Sequence, residues 1–215
     1  SNTGGTVTFS ETIGSHSTNL SVGTVSLAAS STTVFNKAVD SAAITATTTA
    51  SSTFNAAVTN SGAITTGVGS TTVFDSTVSS ATLSNSGAMT LKGAVTLSGT
   101  MTTVSGSTIT LGSAFKAGSA AAITAASTSV GTLDQTVNAV TVNVNNQFTT
   151  GTVVLFKNTA AALDSDDLAS FNVTDTAIVD YTAALSSTAK AIEITANKRT
   201  TAGIATYLGM STAQS

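Results

Sequence analysis

The sequence predicts an all-β protein wound as a parallel β-helix (β-solenoid), with short irregular coils and a C-terminal capping region. Three observations carry this. First, Thr-Val-Phe-Asn at 33–36, Ser-Thr-Phe-Asn at 52–55 and Thr-Val-Phe-Asp at 72–75 set Phe35, Phe54 and Phe74 at spacings of 19 and 20 residues. Each phenylalanine is followed four residues on by Val39, Val58 or Val78, and then by Ile44, Ile64 or Leu83. Second, the apolar pulses alternate with period two, which puts one face of an extended strand inward and the other outward. Third, Thr 45, Ala 34, Ser 31 and Gly 17 dominate the 215 residues, with no Pro and no Trp. Such residues suit strands and tight corners, not large aromatic cores.

A pulse of three to five residues cannot fold alone. Stacked on an equivalent strand one repeat away, it gains both backbone hydrogen bonds and a core. Some nine or ten coils, stacked at about 4.8 Å, make a rod of roughly 45 Å. A β-sandwich is the alternative, since it too has short strands with turns every few residues. It normally uses Pro at turns and buries large aromatics, whereas here the aromatic content is 5%. Disorder is excluded by the recurring Val, Ile, Leu and Phe and by the absence of Pro, which disordered tracts usually contain.

Along the chain, the pulses are Val7/Phe9, the three phenylalanine repeats, Val95/Leu97, Val104, Ile109/Leu111 and Phe115. Asn60-Ser-Gly-Ala-Ile-Thr-Thr is echoed by Asn85-Ser-Gly-Ala-Met-Thr-Leu. Residues 1–133 carry six charges and residues 134–215 carry eleven, and the apolar runs become denser with them. The division reads as solenoid repeats over 1–133 and a β-rich continuation and cap over 134–215. In the second part, Val140–Val144, 147–158, 171–173, 178–181 and 189–196 read as strands. Ala161–Ala169 reads as a turn or short helix. Residues 197–210 read as a helix capped by Thr200 or Thr201, with Ile204, Tyr207 and Leu208 on one face. Such an element closes the end of a stack.

Composition excludes much chemistry. Without Cys there is no disulfide, thiol nucleophile or thiolate metal site. One His makes no His-rich metal site. Seven basic residues at a net charge of −3 give no basic face for nucleic acid. The longest apolar stretch, Gly118–Ala126, is too short to span a bilayer, so no membrane insertion by this segment is expected.

Passages such as Phe54-Asn-Ala-Ala-Val-Thr-Asn-Ser-Gly-Ala-Ile-Thr-Thr-Gly resemble the passenger domains of bacterial autotransporters and related filamentous surface adhesins. Ala191-Ile-Glu-Ile-Thr-Ala-Asn-Lys-Arg-Thr is similar to the strand that ends many passengers, ahead of the helix leading into an outer-membrane barrel. The general character is closest to surface antigens of alphaproteobacteria. The resemblance covers most of the chain and is compositional. It implies an extracellular location at the bacterial surface, a β-helix and a binding or structural role. The translocator barrel is a point of departure, as is the short length.

Candidate sites are few. His16 lies in Gly-Ser-His-Ser-Thr, but no Gly-x-Ser-x-Gly elbow accompanies it, and it reads as a surface turn residue. Asp164, Asp166 and Asp167 are the one acidic cluster and a weak Ca²⁺ candidate, with Asp175 and Asp180 as further ligands if the fold gathers them. No other cofactor is expected. Glycoside cleavage needs two acids in one groove. Only Glu11, Asp40 and Asp75 are offered in the first part, and the 35 residues between Asp40 and Asp75 are not a whole number of coils. The Lys198-Arg199 pair lacks a Gly-rich loop for phosphate and reads as a solvated strand end. The phenylalanine repeat reads as an internal stack, not a ligand platform. Thr-x-Thr pairs (Thr6/Thr8, Thr100/Thr102, Thr108/Thr110) raise ice binding, which demands a flat regular array, and the irregular spacing of about 17–25 residues argues against one.

The expectation is therefore a non-enzymatic extracellular β-solenoid. Its partner is a receptor or glycan on a host or neighbouring cell. The alternative is self-assembly into a surface layer or filament, which low charge and an open strand edge favour.

Overall fold

In the computed structural model, which describes residues 5–14, 22–126, 140–145 and 148–210, the apolar pulses form two long sheets. The first has eight strands: β1 (Thr6–Phe9), β3 (Thr32–Phe35), β5 (Ser51–Phe54), β8 (Thr71–Phe74), β11 (Ala88–Leu91), β14 (Ser107–Leu111), β16 (Val140–Val144) and β18 (Phe171–Thr174). Every neighbouring pair in it is parallel. This is not the antiparallel pairing of a β-sandwich. Among the described residues no closed barrel is formed. The arrangement is compatible with a β-solenoid.

The second sheet forks. It contains β2 (Val22–Leu27), β4 (Val39–Ala46), β6 (Val58–Asn60), β7 (Ala63–Thr66), β9 (Val78–Ser80), β10 (Thr82–Asn85), β12 (Val95–Leu97), β13 (Met101–Thr103), β15 (Ile123–Ala125) and β17 (Gly151–Asn158). The first half of β4 pairs with β6 and its second half with β7. From Thr32 to Thr103 each repeat thus contributes to three parallel ladders.

Like stacks on like. Phe9, Phe35, Phe54, Phe74, Leu91, Leu111 and Val144 are in register on the first sheet. Val39, Val58, Val78, Val95, Ile123 and Phe156 form the second inward row. Ile44, Ile64, Leu83 and Met101 form the third. Apart from Phe9, these side chains are buried and make one core. Each is worth about 1.5–3 kcal/mol of transfer free energy. The inward neighbours Thr33, Ser52 and Thr72 are buried hydroxyls, and Ser52 Oγ donates to Thr72 Oγ1 at 3.1 Å. Thr66 Oγ1 donates to Asn85 Oδ1 at 2.6 Å across the next ladder. Hydrogen bonds between successive rungs offset the cost of burying Ser52, Thr72, Thr66 and Asn85.

The irregular spacing lies in the corners, not in the strands. Four residues join β4 to β5 and β7 to β8, whereas Ser86-Gly87 alone joins β10 to β11, and this makes the shortest repeat. Ser30, Thr49, Gly69 and Gly106 all turn such corners with positive φ. Later repeats lengthen, to 33 residues from Leu111 to Val144, so the first sheet has eight rungs instead of nine or ten. The Asn60 and Asn85 echo is not a structural repeat: Asn60 ends β6 on one ladder and Asn85 ends β10 on another. Val104 and Phe115 are corner residues, the first exposed and the second buried.

The far end is closed differently. β20 (Ala191–Lys198) pairs antiparallel with β17, and β19 (Val179–Leu185) pairs antiparallel with β20. Two short helices, α1 (Ser165–Ala169) and α2 (Thr201–Tyr207), complete this end. Thr200 caps α2 by accepting from the Gly203 amide at 3.1 Å. The expected apolar face of this helix is corrected, because Tyr207 and Leu208 are 47% and 55% exposed and Ala205 is the buried residue. At the near end, Phe9 is 40% exposed beside an apolar cleft of about 180 Å³ lined by Val7, Val25, Leu27 and Phe35. Residue 133, the expected division, lies outside the described residues, and both main ladders continue after it through β16, β17 and β18. Among the described residues no helix is long and apolar enough to cross a membrane.

Candidate binding face

Alternation along the eight-stranded sheet turns every second residue outward, and parallel register aligns those residues into two rows. One row is Thr6, Thr32, Ser51, Thr71, Ala88, Thr108, Thr141 and Asn172. The other is Thr8, Val34, Thr53, Val73, Thr90, Thr110, Asn143 and Thr174. All sixteen are exposed or half-buried, ten are threonine and none is charged. Rungs repeat at about 4.8 Å and the two rows lie about 6.7 Å apart along each strand. The array therefore runs for roughly 34 Å.

The core beneath holds the face in shape. Successive rings of Phe9, Phe35, Phe54 and Phe74 stack with centroids 5.0, 4.6 and 5.2 Å apart and planes inclined by 6°, 6° and 19°. Ordinary neighbouring strands rotate by about 20–25°. Under β1, β3 and β5 the rings are almost parallel, while between β5 and β8 they turn by about the ordinary amount. The objection from irregular spacing is thereby corrected: corners absorb the variation, and the outward rows stay in register across all eight strands. Charges sit elsewhere. Lys92 pairs with Asp75 at 2.9 Å, in line with the corner residues Asn36 and Asn55, which are themselves bonded at 2.8 Å.

The residues singled out from sequence go to other work. Asp164 caps α1, its Oδ1 accepting from the amides of Asp166 (2.9 Å) and Asp167 (3.0 Å). Asp167 Oδ2 accepts in turn from the Asp164 amide at 3.0 Å. This reciprocal pair is a capping box made with aspartates. Asp175 and Asp180 do not join it; they flank the Arg199 guanidinium at 2.7 and 3.4 Å. Arg199 also donates to the Thr176 carbonyl and lies 4.9 Å from the Tyr207 ring centre, so it ties α2 to β19 and the turn that precedes it. Among the described residues no three His, Cys, Asp or Glu side chains are grouped to hold a metal ion. Asp40 is buried on β4, aligned with Thr59, while Asp75 turns a corner of the first ladder two repeats on. Glu11 is exposed. His16 lies outside the described residues.

Burial raises the Asp167 carboxyl above the ordinary carboxylate range, helped by the negative charges of Asp164 and Asp166 and opposed by the hydrogen bond from the Asp164 amide. A raised folded-state value means that the folded protein binds this proton more tightly than the unfolded chain. The contribution to stability is complete below the unfolded value and is lost as pH rises through the folded one. Asp167→Asn keeps an acceptor for the Asp164 amide and removes the charge. The variant is expected to be more stable than the parent at pH 7 and to lose that advantage at pH 3, as read from urea midpoints.

Sequence reading missed the two-row face. The signal was present: the residues one and three before each member of the phenylalanine row are all Thr, Ser, Ala, Val or Asn. Comparison with family models, curated proteins and solved structures finds no match to this chain.

Proposed function

We propose that the chain is a parallel β-solenoid that acts without catalysis outside the cell, as an adhesive element binding an extended surface through the outer face of its eight-stranded sheet. The observation that supports this is the uncharged two-row array held in register over eight rungs. A hydroxyl or methyl contact is weak alone. Sixteen of them on a preformed scaffold act together, because little ordering entropy is lost on binding. The scarcity of charge suits close approach, since no ion has to be stripped of water. The passenger-like character of the sequence agrees with such a location.

The test is retention on insoluble surfaces, namely bacterial envelope fragments, chitin, crystalline cellulose and ice. Thr90→Lys combined with Thr110→Lys places charges in the middle of the face and is expected to cut retention by roughly tenfold or more. Ser79→Lys combined with Thr96→Lys, on the second ladder, is expected to leave it unchanged. Equal retention of both folded variants on every surface rules the face out.

A further inference from the structure

We propose that the surface this face recognises is ice. The inference rests on the surface-binding reading above and names its target class. The argument is geometric. The array repeats at about 4.8 Å from rung to rung, and its two rows lie about 6.7 Å apart along each strand. Both spacings lie close to repeats between oxygen positions on growth faces of hexagonal ice. A receptor protein presents no such lattice, and nothing about it calls for eight aligned rungs.

The chemistry of the side chains fits the same target. A threonine hydroxyl both donates and accepts, so it can take the place of a lattice water. Its methyl group, like those of Val34 and Val73, borders water without binding it. Thr and Val are stiff at χ1, so the pattern is already ordered before contact. Charge on the face is the feature that would defeat it, because a charged group holds its own hydration shell against the lattice. None of the sixteen positions carries one, although Lys92 and Asp75 sit at the adjoining corner. Beneath the first four rungs the stacked rings set neighbouring core side chains 4.6–5.2 Å apart.

The experiment measures thermal hysteresis and ice-crystal shape with the whole purified chain, alongside its incorporation into a growing ice front. The parent protein is expected to depress the freezing point below the melting point and to facet the crystals. Thr90→Tyr, at a central rung, keeps a strand-forming residue and is expected to lose roughly tenfold or more of the hysteresis. Thr96→Tyr, outward on the second ladder, is expected to retain it. Circular dichroism confirms that each variant is folded. A folded parent chain without hysteresis, faceting or incorporation overturns the proposal. If such a chain still pellets with cellulose or chitin, and Thr90→Tyr prevents it, the surface-binding reading stands and ice alone falls. If no solid is bound, both fall. Hysteresis that survives Thr90→Tyr as well as Thr96→Tyr assigns ice binding to another face and overturns this one.

Discussion

Replacing Phe54 by alanine is expected to lower the unfolding free energy by about 3–5 kcal/mol. Phe54 is 1% exposed and lies between Phe35 and Phe74, with ring centres 4.6 and 5.2 Å away. Truncation removes the buried ring, leaves a cavity and ends two stacking contacts worth about 0.5–1.5 kcal/mol each beyond burial. In a stacked array a rung contacts only its neighbours, so no distant part of the core can relax into the gap. Phe54→Leu puts at this rung the residue already present at Leu91, two rungs on, and is expected to cost less than half as much. Urea midpoints measure both. Where unfolding is not a single transition, the first transition is the one to read. A loss below about 1 kcal/mol for Phe54→Ala, the level of an ordinary surface change, would show that the row is not a packed stack.

The same row explains what was legible in the sequence. Phe35, Phe54 and Phe74 announce the repeat because the residue type recurs as well as the spacing. From β11 onward the row continues as Leu91, Leu111 and Val144, with repeats of 17, 20 and 33 residues, and identity no longer marks the register. Only strand pairing recovers it. Direction is equally invisible in period-two alternation: β20 alternates around Ile192 and Ile194 as a parallel strand would, yet runs antiparallel to β17. Tertiary contacts decide that.

Helix ends were read better than helix faces. The Thr200 cap depends on local chemistry, and it is one of the two threonines the sequence offered. The buried side of α2 depends on what lies beneath it, and Arg199 draws Tyr207 outward by stacking on its ring. The aspartate cluster was ambiguous in sequence for a related reason. A carboxylate that binds two backbone amides and one that binds a cation look alike in sequence, and at the N-terminus of α1 the amides are the nearer partners. The outward face escaped notice because threonine pairs were counted along the chain, whereas their meaning lies across it. A Thr-x-Thr pair says little until seven further rungs align with it.

Register across rungs also demands that the corners nest as closely as the strands, and Gly93→Ala tests this. A methyl group at Gly93 would fall on the backbone carbonyl of Ser76 and within 2.7 Å of the Thr77 amide nitrogen, both one repeat earlier. These are main-chain atoms, so no side chain can swing aside. The Lys92 amide donates to the Phe74 carbonyl at 2.8 Å on one side of the corner, and the Val78 amide donates to the Ala94 carbonyl at 3.0 Å on the other. Room for the methyl is made by lengthening one of these bonds, so a loss of about 1–3 kcal/mol is expected. Gly23→Ala is the opposite case. Nothing lies within 4 Å of the added atom, and its φ is not in the left-handed region. There the substitution removes freedom from the unfolded chain and is expected to stabilise by about 0.4–1 kcal/mol. Two identical substitutions thus carry opposite signs if repeats stack at strand distance through their corners. Equal effects would mean that the corners splay, and splayed corners could not hold sixteen side chains in two straight rows.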